Sequence, residues 1–296
     1  MNDLDNILAE TQTDAMPLSK EEFAEKKQAE RQAVYDLADQ TAFDVAEDSG
    51  RFKQYLDVQS QFDRYSETNA LLVLAQKPEA TRLGDFEHWK AQGGFVRKGE
   101  TGISIIEPSG EYERDDGKTG ISYNIKKVFD ISQIDVRKME QAPPKPQVME
   151  RQLLKSLIAH APVKVDLVDE LSGNMGAMYD AQTDRLLVCR GKEFSESFKS
   201  IAQATAYYFL TTGPDTQSDP HFSSMCAAYM LCKKHGVDAQ DFKFDHAPAK
   251  LAGLDALDIK GELSQIRDVS ADISMHMAKT LEPPSRGARV QDAATR

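Results

Sequence analysis

Histidine and cysteine are the side chains of this sequence that could bind a metal or act as nucleophiles, and their spacing favours neither role. The six histidines form no HExxH, HxxxH or HxH pattern. HExxH supports zinc chemistry because it places two imidazoles and a general base on one helix face. Cys189, Cys226 and Cys232 form no CxxC pair, and their odd number argues against a disulfide framework. We therefore expect no metal, no cofactor and a reduced, cytoplasmic setting.

The charge of the 296-residue chain is concentrated at its start. The formal net charge is −12, and residues 1–50 hold 4 basic and 13 acidic residues. A basic surface elsewhere can coexist with such a segment, so the net charge does not exclude a nucleic-acid partner. No apolar run approaches the roughly 18–20 residues of a membrane span. The acidic start MNDLDNILAE lacks the features of a secretory signal. We expect no membrane association.

The first half of the sequence reads as helices followed by a β-hairpin. Ser19 and Glu22 fit a capping box that opens a helix over about 20–45, solvated on most faces. Apolar residues over 52–62 recur at helical spacing, and ETNALLVLAQ predicts a second helix after Tyr65-Ser66. A short helix covers Asp85 to Lys90. Strands at 103–106 and 123–129 then form the hairpin, with a polar connection as its tip.

The second half mixes strands and longer helices after the segment QAPPKPQ at 141–147, which is typical of a stiff linker. The patterns predict a helix at 149–160, a strand at 163–167, a hairpin over 177–188, and helices over 198–209, 222–236 and 263–277. The tail 283–296 is predicted to be disordered. We therefore expect an α+β protein in which an acidic segment (1–49) precedes two domains (50–140 and 148–282).

Residues 65–108 contain several short motifs in a fixed order. They are Tyr-Ser followed by Asn and an aliphatic helix, then Gln-x-Pro-x-Ala-Thr, a Trp, and Val-Arg-Lys-Gly-Glu-x-Gly-Ile. In these motifs the segment resembles the N-terminal domain of ArdC-type antirestriction proteins of plasmids and conjugative elements. The segment VFDISQ at 128–133 resembles the closing strand of that domain. The resemblance implies an α/β domain that binds single-stranded DNA in a bacterial, cytoplasmic protein.

The resemblance continues into the second half, where it implies a zincin-like metallopeptidase domain. The motif Gly-Ala-x-Tyr stands at 176–179. However, Gln203 and Tyr207 stand where the two histidine ligands should be, Ala204 replaces the glutamate base, and Met225 falls at the acidic third ligand. Glutamine and tyrosine are poor zinc ligands, and methionine prefers softer metals. We therefore expect a catalytically inactive scaffold that binds no metal.

Non-specific binding of single strands requires cations that follow the phosphates and aromatic rings on which bases stack. The resemblance directs the search for such side chains to the first domain. The candidate contacts are Tyr65, Asn69, Arg82, Trp89, Arg97, Lys98, Lys126 and Lys127, with Phe95 and Tyr123 as further aromatic rings. Lys126 and Lys127 are adjacent on a strand and point to opposite faces, so only one can line a given groove.

Several of these residues also have a structural interpretation. Trp89 lies in an amphipathic helix and could belong to the core, Tyr65 could pack at a helix start, and Asn69 could be a structural hydrogen-bonding residue. Arg97 and Lys98 could lie in a solvated hairpin turn. The acidic segment could cover the basic face, mimic phosphate toward a partner, or simply aid solubility. The alternative function is a protein-interaction module that uses this segment and the inactive peptidase cleft.

Overall fold

A computed structural model describes residues 19–113, 117, 119–137, 148–213 and 219–281. The predicted linker at 141–147 and the predicted tail at 283–296 lie outside these residues. Within them, helices and strands are mixed in both halves, so the expected α+β class is confirmed. None of the described helices is both long and apolar enough to cross a membrane.

Three helices precede the sheet of the first half. The elements here are α1 (Lys20–Glu47), α2 (Ser49–Gln61), α3 (Glu67–Gln76), β1 (Leu83–Gly84), α4 (Phe86–Ala91), β2 (Phe95–Val96), β3 (Ile103–Glu113), β4 (Thr119–Asp130) and β5 (Ile134–Asp135). The predicted capping box is confirmed, because Ser19 and Glu22 exchange bonds of 2.8 and 3.1 Å between side chain and backbone. Strands β1, β4 and β3 form an antiparallel sheet in that order, and β2 pairs with β5.

Helix α3 covers the free edge of β3 with two side-chain amides. Asn69 and Gln76 are seven residues apart, which places them on the same helix face. The Asn69 amide exchanges two bonds of 2.8 Å with the backbone of Ile106. Gln76 does the same with Ser104, at 2.8 and 3.0 Å. The two amides thus satisfy backbone groups that an edge strand otherwise leaves unpaired.

The second half consists of a small mixed sheet packed on helices. Its elements are α5 (Glu150–Ala159), β6 (Lys164–Val168), β7 (Ala177–Asp180), β8 (Arg185–Cys189), α6 (Phe194–Thr212), α7 (Pro220–His235), α8 (Ala247–Leu251) and α9 (Ala256–Leu281). Strand β8 is central, parallel to β6 and antiparallel to β7. The predicted hairpin is therefore confirmed. Its pairing with β6 has no local sequence signal.

The hydrophobic core is shared between the two halves. One buried cluster contains Phe52 of α2, Leu71 of α3, Tyr229 of α7 and Leu263 of α9. A second cluster joins α5, α6 and β8 to other residues of the same α7 and α9. The Tyr229 hydroxyl also donates a 2.6 Å hydrogen bond to the Asp57 carboxylate. The structure therefore differs from two domains with separate cores, because α7 and α9 belong to both clusters.

Helix α1 is also part of this core, so the described part of the acidic segment expected over 1–49 packs on the rest of the protein. Its second half buries a stripe of small side chains, including Ala38 and Ala42, against the rest of the protein. The two phenylalanines of this helix, Phe23 and Phe43, are exposed. The buried residues are alanine, valine and threonine, whose weak hydrophobic contrast gives little periodic signal. Only the first half of α1 is solvated on most faces, as expected.

Candidate nucleic-acid interface

A groove of about 610 Å³ opens where the α2–α3 connection meets β3, β4, α1 and α9. Its lining side chains come from five separate stretches of the chain. They are Tyr35, Arg64, Tyr65, Ser66, Glu67, Thr68, Asn69, Ile105, Ile106, Glu107, Pro108, Tyr123 and Arg267. The groove thus combines aromatic rings with two guanidinium groups, which are the two kinds of side chain that binding of single-stranded nucleic acid requires.

Three tyrosines supply the aromatic surface. Tyr123 is 40% exposed on β4. Tyr65 is half-buried, and its ring stacks on Phe62 at 5.7 Å between centroids, which fixes its orientation. Burial raises the pKa of Tyr65, so its phenol is neutral at physiological pH. Neutral rings held in place in this way are suitable for base stacking, because little side-chain entropy is lost on binding.

The cations of the groove differ in how they are paired. Arg64 is exposed and forms no ion pair or hydrogen bond within the part of the chain that the structure describes. Arg267 contacts Asp268, and its buried Nε has no hydrogen-bond partner among the described residues. Of the two carboxylates, Glu107 is paired with Lys126 at 3.0 Å. Glu67 accepts a hydrogen bond from Thr68.

The structure brings Tyr65, Asn69 and Tyr123 together in the groove, but Asn69 is not free to contact a base. Asn69 is 8% exposed, and both ends of its amide are bonded to the backbone of Ile106. Lys126 lies beside the groove, bound to Asp85 at 2.8 Å and to Glu107. Hydrogen bonds to these two carboxylates raise the pKa of Lys126. Its charge is therefore largely compensated within the protein.

Trp89 and Arg82 form a structural pair away from the groove. Trp89 is completely buried, and its indole N–H donates to the carbonyl of Phe129 at 3.0 Å. The Arg82 guanidinium lies 5.1 Å from the indole ring and also contacts Gln92. The prediction that Trp89 stacks on a base is therefore wrong. Its ring is completely buried and belongs to the core, so no base can reach it in the folded protein.

The remaining predicted cations lie away from the groove lining. Arg97 is paired with Glu100 at 2.9 Å and also contacts the carbonyl of Ser132. Lys98 is exposed and has no partner among the described residues. Lys127 is exposed and donates to the Ser104 hydroxyl. Phe95 is 48% exposed near Arg97, on β2. None of these four residues lines the groove.

Sequence reasoning missed Tyr35, Arg64 and Arg267. Arg64 directly precedes the predicted Tyr65, and an adjacent aromatic–cation pair is a signal that could have revealed it. Tyr35 stands in a predominantly acidic helix, and Arg267 stands about 200 residues further along the chain than Tyr65. Only the packing of α1 and α9 against the first half brings these two side chains into the groove.

The second half contains a pocket of about 480 Å³ at the positions where the resemblance implies a metal site. Gln203, Ala204 and Tyr207 line it from one face of α6, as the i, i+4 spacing requires. Helix α7 contributes His221 and Ser224. Met225 does not line the pocket and packs on the shared core instead. It therefore does not stand where a third metal ligand would be, contrary to the prediction.

The side chains of this pocket do not fit a catalytic zinc ion. Tyr207 stacks on His221 at 4.6 Å between ring centroids, and Glu196 is paired with Lys192 at 2.6 Å. Zinc sites use Cys, His and carboxylate ligands. No group of three or more such residues is close enough to hold a metal ion anywhere in the described ranges. The pocket offers one histidine and one carboxylate, which is already paired with Lys192, whereas a catalytic site needs three ligands and a base.

The comparisons with known proteins give one family match, over part of the chain, and similar solved structures. Residues 40–148 match the family described as the N-terminal domain of anti-restriction factor ArdC. The metal-free crystal structure of the antirestriction ArdC protein from the R388 plasmid is 17% identical, covers 73% of this chain and 86% of its own, and gives a TM-score of 0.50. Its Mn(II)-bound structure is 16% identical, covers 75% and 86%, and gives the same TM-score. No curated protein matches the chain.

Proposed function

We propose that this chain, whose residues 40–148 match the N-terminal domain of anti-restriction factor ArdC, binds single-stranded DNA without sequence preference, as an accessory protein of the antirestriction type. The observation that supports the proposal is the groove that Tyr35, Tyr65 and Tyr123 line together with Arg64, which has no ion-pair partner among the described residues. The action is steric: a strand held in the groove is covered and withheld from nucleases. The setting that fits this action is the entry of a mobile element into a bacterial cell.

Base stacking and phosphate neutralisation make separate contributions to binding in the groove. Stacking on an aromatic ring contributes about 1–3 kcal/mol per base and tolerates any sequence, because every base has a π-face. Each neutralised phosphate of a single strand adds about 0.7 to the slope of log K against log salt concentration. Two measured quantities therefore separate these contributions. The affinity at a fixed salt concentration reports loss of stacking, and the salt slope reports the number of neutralised phosphates.

The test is fluorescence anisotropy of a labelled single-stranded oligonucleotide with the full chain. Tyr123→Ser should weaken binding by roughly 5- to 100-fold, because it removes one stacking ring. Arg64→Gln should lower the salt slope by about 0.7. The matched controls are Tyr112→Ser, an exposed tyrosine on the same hairpin outside the groove, and Lys243→Gln, an exposed lysine of the second half. Both should bind like the unmodified protein.

Two outcomes would contradict the proposal. The first is the absence of binding by the unmodified protein at low salt. The second is equal affinity of the groove variants and their controls, which would place DNA elsewhere, for example near Lys98 and Lys127. In the first case a protein partner becomes the better candidate, and the first half of α1 is the exposed surface with which to search for it.

We also propose that the second half has no peptidase activity and serves as a scaffold. The support is the chemistry of Gln203, Ala204 and Tyr207, none of which replaces a zinc ligand or base. Metal analysis of the purified protein should therefore find much less than one zinc per chain. Gln203→His with Ala204→Glu and Tyr207→His restores HExxH facing the pocket, and we expect this variant to bind more zinc. Stoichiometric zinc in the unmodified protein would refute this proposal.

A further inference from the structure

A second cavity, of about 530 Å³, lies along the first half of α1 and meets the groove at Tyr35. The described side chains that line it all come from α1. They are Ala24, Lys27, Gln28, Arg31, Gln32 and Tyr35. Tyr35 lines both cavities, so a molecule that occupies the groove can continue along the helix without leaving the protein surface.

The lining residues form one face of the helix, because they are spaced by three or four positions. This face carries two cations, two side-chain amides and a tyrosine, and no carboxylate lines the cavity among the described residues. Lys27 is paired with Glu30 at 3.3 Å. Arg31 is exposed and has no ion pair or hydrogen bond with any described residue. The acidic helix thus presents a basic and polar face next to the groove.

We infer that single-stranded DNA follows a composite track, which runs from the groove onto the Lys27–Tyr35 face of α1. The inference rests on the proposed function and adds to it the path and the residues of a longer strand. The track adds about 12 Å of helix length between Lys27 and Tyr35. Tyr35 continues the aromatic surface, Arg31 and Lys27 neutralise phosphates, and Gln28 donates to backbone oxygens. The Gln32 amide already donates to the Asp36 carboxylate at 2.7 Å.

The charges along the track favour an anion. Arg64 and Arg31 are the two track cations that no described carboxylate neutralises. Glu107 is already paired with Lys126, and Glu67 is the carboxylate of the track without a described ion-pair partner. Part of the track lies outside the family match, because residues 27–35 precede its start at residue 40 and Arg267 follows its end at residue 148. The track therefore combines side chains of the matched region with side chains from the first half of α1 and from α9.

The test compares Arg31→Gln with Lys26→Gln in the full chain. Both substitutions remove one exposed cation from the same helix, but Lys26 points away from the track. With a strand of about 20 nucleotides, longer than the roughly 4–16 that one small domain covers, Arg31→Gln should lower the salt slope by about 0.7. When the salt concentration is raised from 50 to 200 mM, the affinity of Arg31→Gln should then fall by a factor about 2.6-fold smaller than the factor for the unmodified protein. Lys26→Gln should leave the slope unchanged.

A short strand separates this inference from the proposed function. With about six nucleotides, which the groove can hold alone, Arg31→Gln should bind like the unmodified protein, while Tyr123→Ser should be weak with both lengths. Equal slopes for Arg31→Gln and Lys26→Gln on the long strand would overturn the composite track and leave the groove intact. If the unmodified protein binds neither strand, the proposed function fails, and the track fails with it.

Discussion

At the scale of single residues, Asn69 shows how the surroundings decide what a polar side chain does. Its type and position after Tyr65 suggest contact with a base, but both ends of its amide are used by Ile106. The amide keeps one N–H and one lone pair, but they belong to a side chain that is 8% exposed, which disfavours contact with a base. The same helix repeats the arrangement with Gln76 and Ser104, which identifies it as a structural device.

Asn69→Ala should therefore reduce stability and leave the DNA affinity of the folded protein unchanged. The substitution removes two hydrogen bonds and leaves the Ile106 backbone unpaired in a partly buried place, which costs about 2 kcal/mol in the free energy of unfolding. Urea denaturation measures this loss. Asn124→Ala, at an exposed site on β4, is the control and should change stability by less than about 0.5 kcal/mol. A folded Asn69→Ala protein with weakened DNA binding would contradict this interpretation.

His235 predicts a pH dependence of stability. It is the last residue of α7, its ring lies against Phe198, and its buried Nε2 has no hydrogen-bond partner among the described residues. Burial, with a smaller effect of Lys234, lowers the pKa of His235 from 6.5 to about 4. A histidine whose pKa is lowered by folding stabilises the protein above pH 6.5. This stabilisation is lost as the pH falls toward 4, because the unfolded chain binds the proton first.

The measurement is urea denaturation at pH 7 and pH 5 for the unmodified protein, His235→Leu and His246→Gln. The His235 contribution to the free energy of unfolding should fall by about 2 kcal/mol over this range. His235→Leu lacks the titrating group. Its free energy of unfolding should therefore fall by about 2 kcal/mol less than that of the unmodified protein between pH 7 and pH 5. His246 is exposed, so His246→Gln should retain the full pH dependence. A His235→Leu protein with the same pH dependence as the unmodified chain would show that this imidazole is not responsible.

At the scale of elements, Gly176 allows β7 and α6 to approach closely. A Cβ atom at this position would lie 2.4 Å from the Ser200 hydroxyl and 2.8 Å from its Cβ. Gly176→Ala should therefore destabilise the protein by about 1–3 kcal/mol. Adding Ser200→Gly removes the clash, so the double variant should be more stable than the sum of the two single effects predicts.

Gly261→Ala provides the matched control for that double-mutant cycle. Gly261 lies inside α9, and a Cβ there would meet nothing within 4 Å. The same substitution should therefore stabilise the protein, by up to about 1 kcal/mol, because alanine favours the helix more than glycine does. Additive effects of Gly176→Ala and Ser200→Gly would mean that the two elements adjust their spacing freely.

The sequence predicts elements well where local chemistry ends or begins them. Ser19 and Ser66 cap α1 and α3, and Gly236 ends α7 with a φ of 69° that favours glycine. Each of these signals acts over a few residues, so it can be read without tertiary structure. The two hairpins are predicted for the same reason.

The candidate site is predicted less well, because packing assembles it. Tyr65 and Tyr123 are found from their types, whereas Tyr35 and Arg267 enter the groove only through the docking of α1 and α9. Trp89 and Asn69 have residue types that suit DNA, but their burial assigns them to the fold. No local pattern encodes which face of an alanine-rich helix such as α1 will be covered.

At the scale of the whole molecule, the shared helices make the two halves one thermodynamic unit. In α7, Tyr229 faces the cluster of the first half and Leu231 faces that of the second. In α9, Ile266 and Ile273 are divided in the same way. A proline-rich segment of the kind predicted to be a linker at 141–147 usually separates domains that unfold independently. Here, loss of either cluster removes packing partners from helices that the other cluster needs.

Trp89 offers a direct test of this coupling. It is the only tryptophan of the chain and lies buried in the first half, so its fluorescence reports unfolding there. Leu157→Ala creates a cavity in the cluster of the second half, where Leu157 is 2% exposed, and should cost about 2–5 kcal/mol. We expect the Trp89 transition to shift to lower urea by the same amount as the transition measured by circular dichroism. Ile158→Ala, at the exposed neighbouring position, should shift neither. A Trp89 transition that stays in place in Leu157→Ala would mean that the halves unfold independently, and that α7 and α9 keep the first cluster intact without the second.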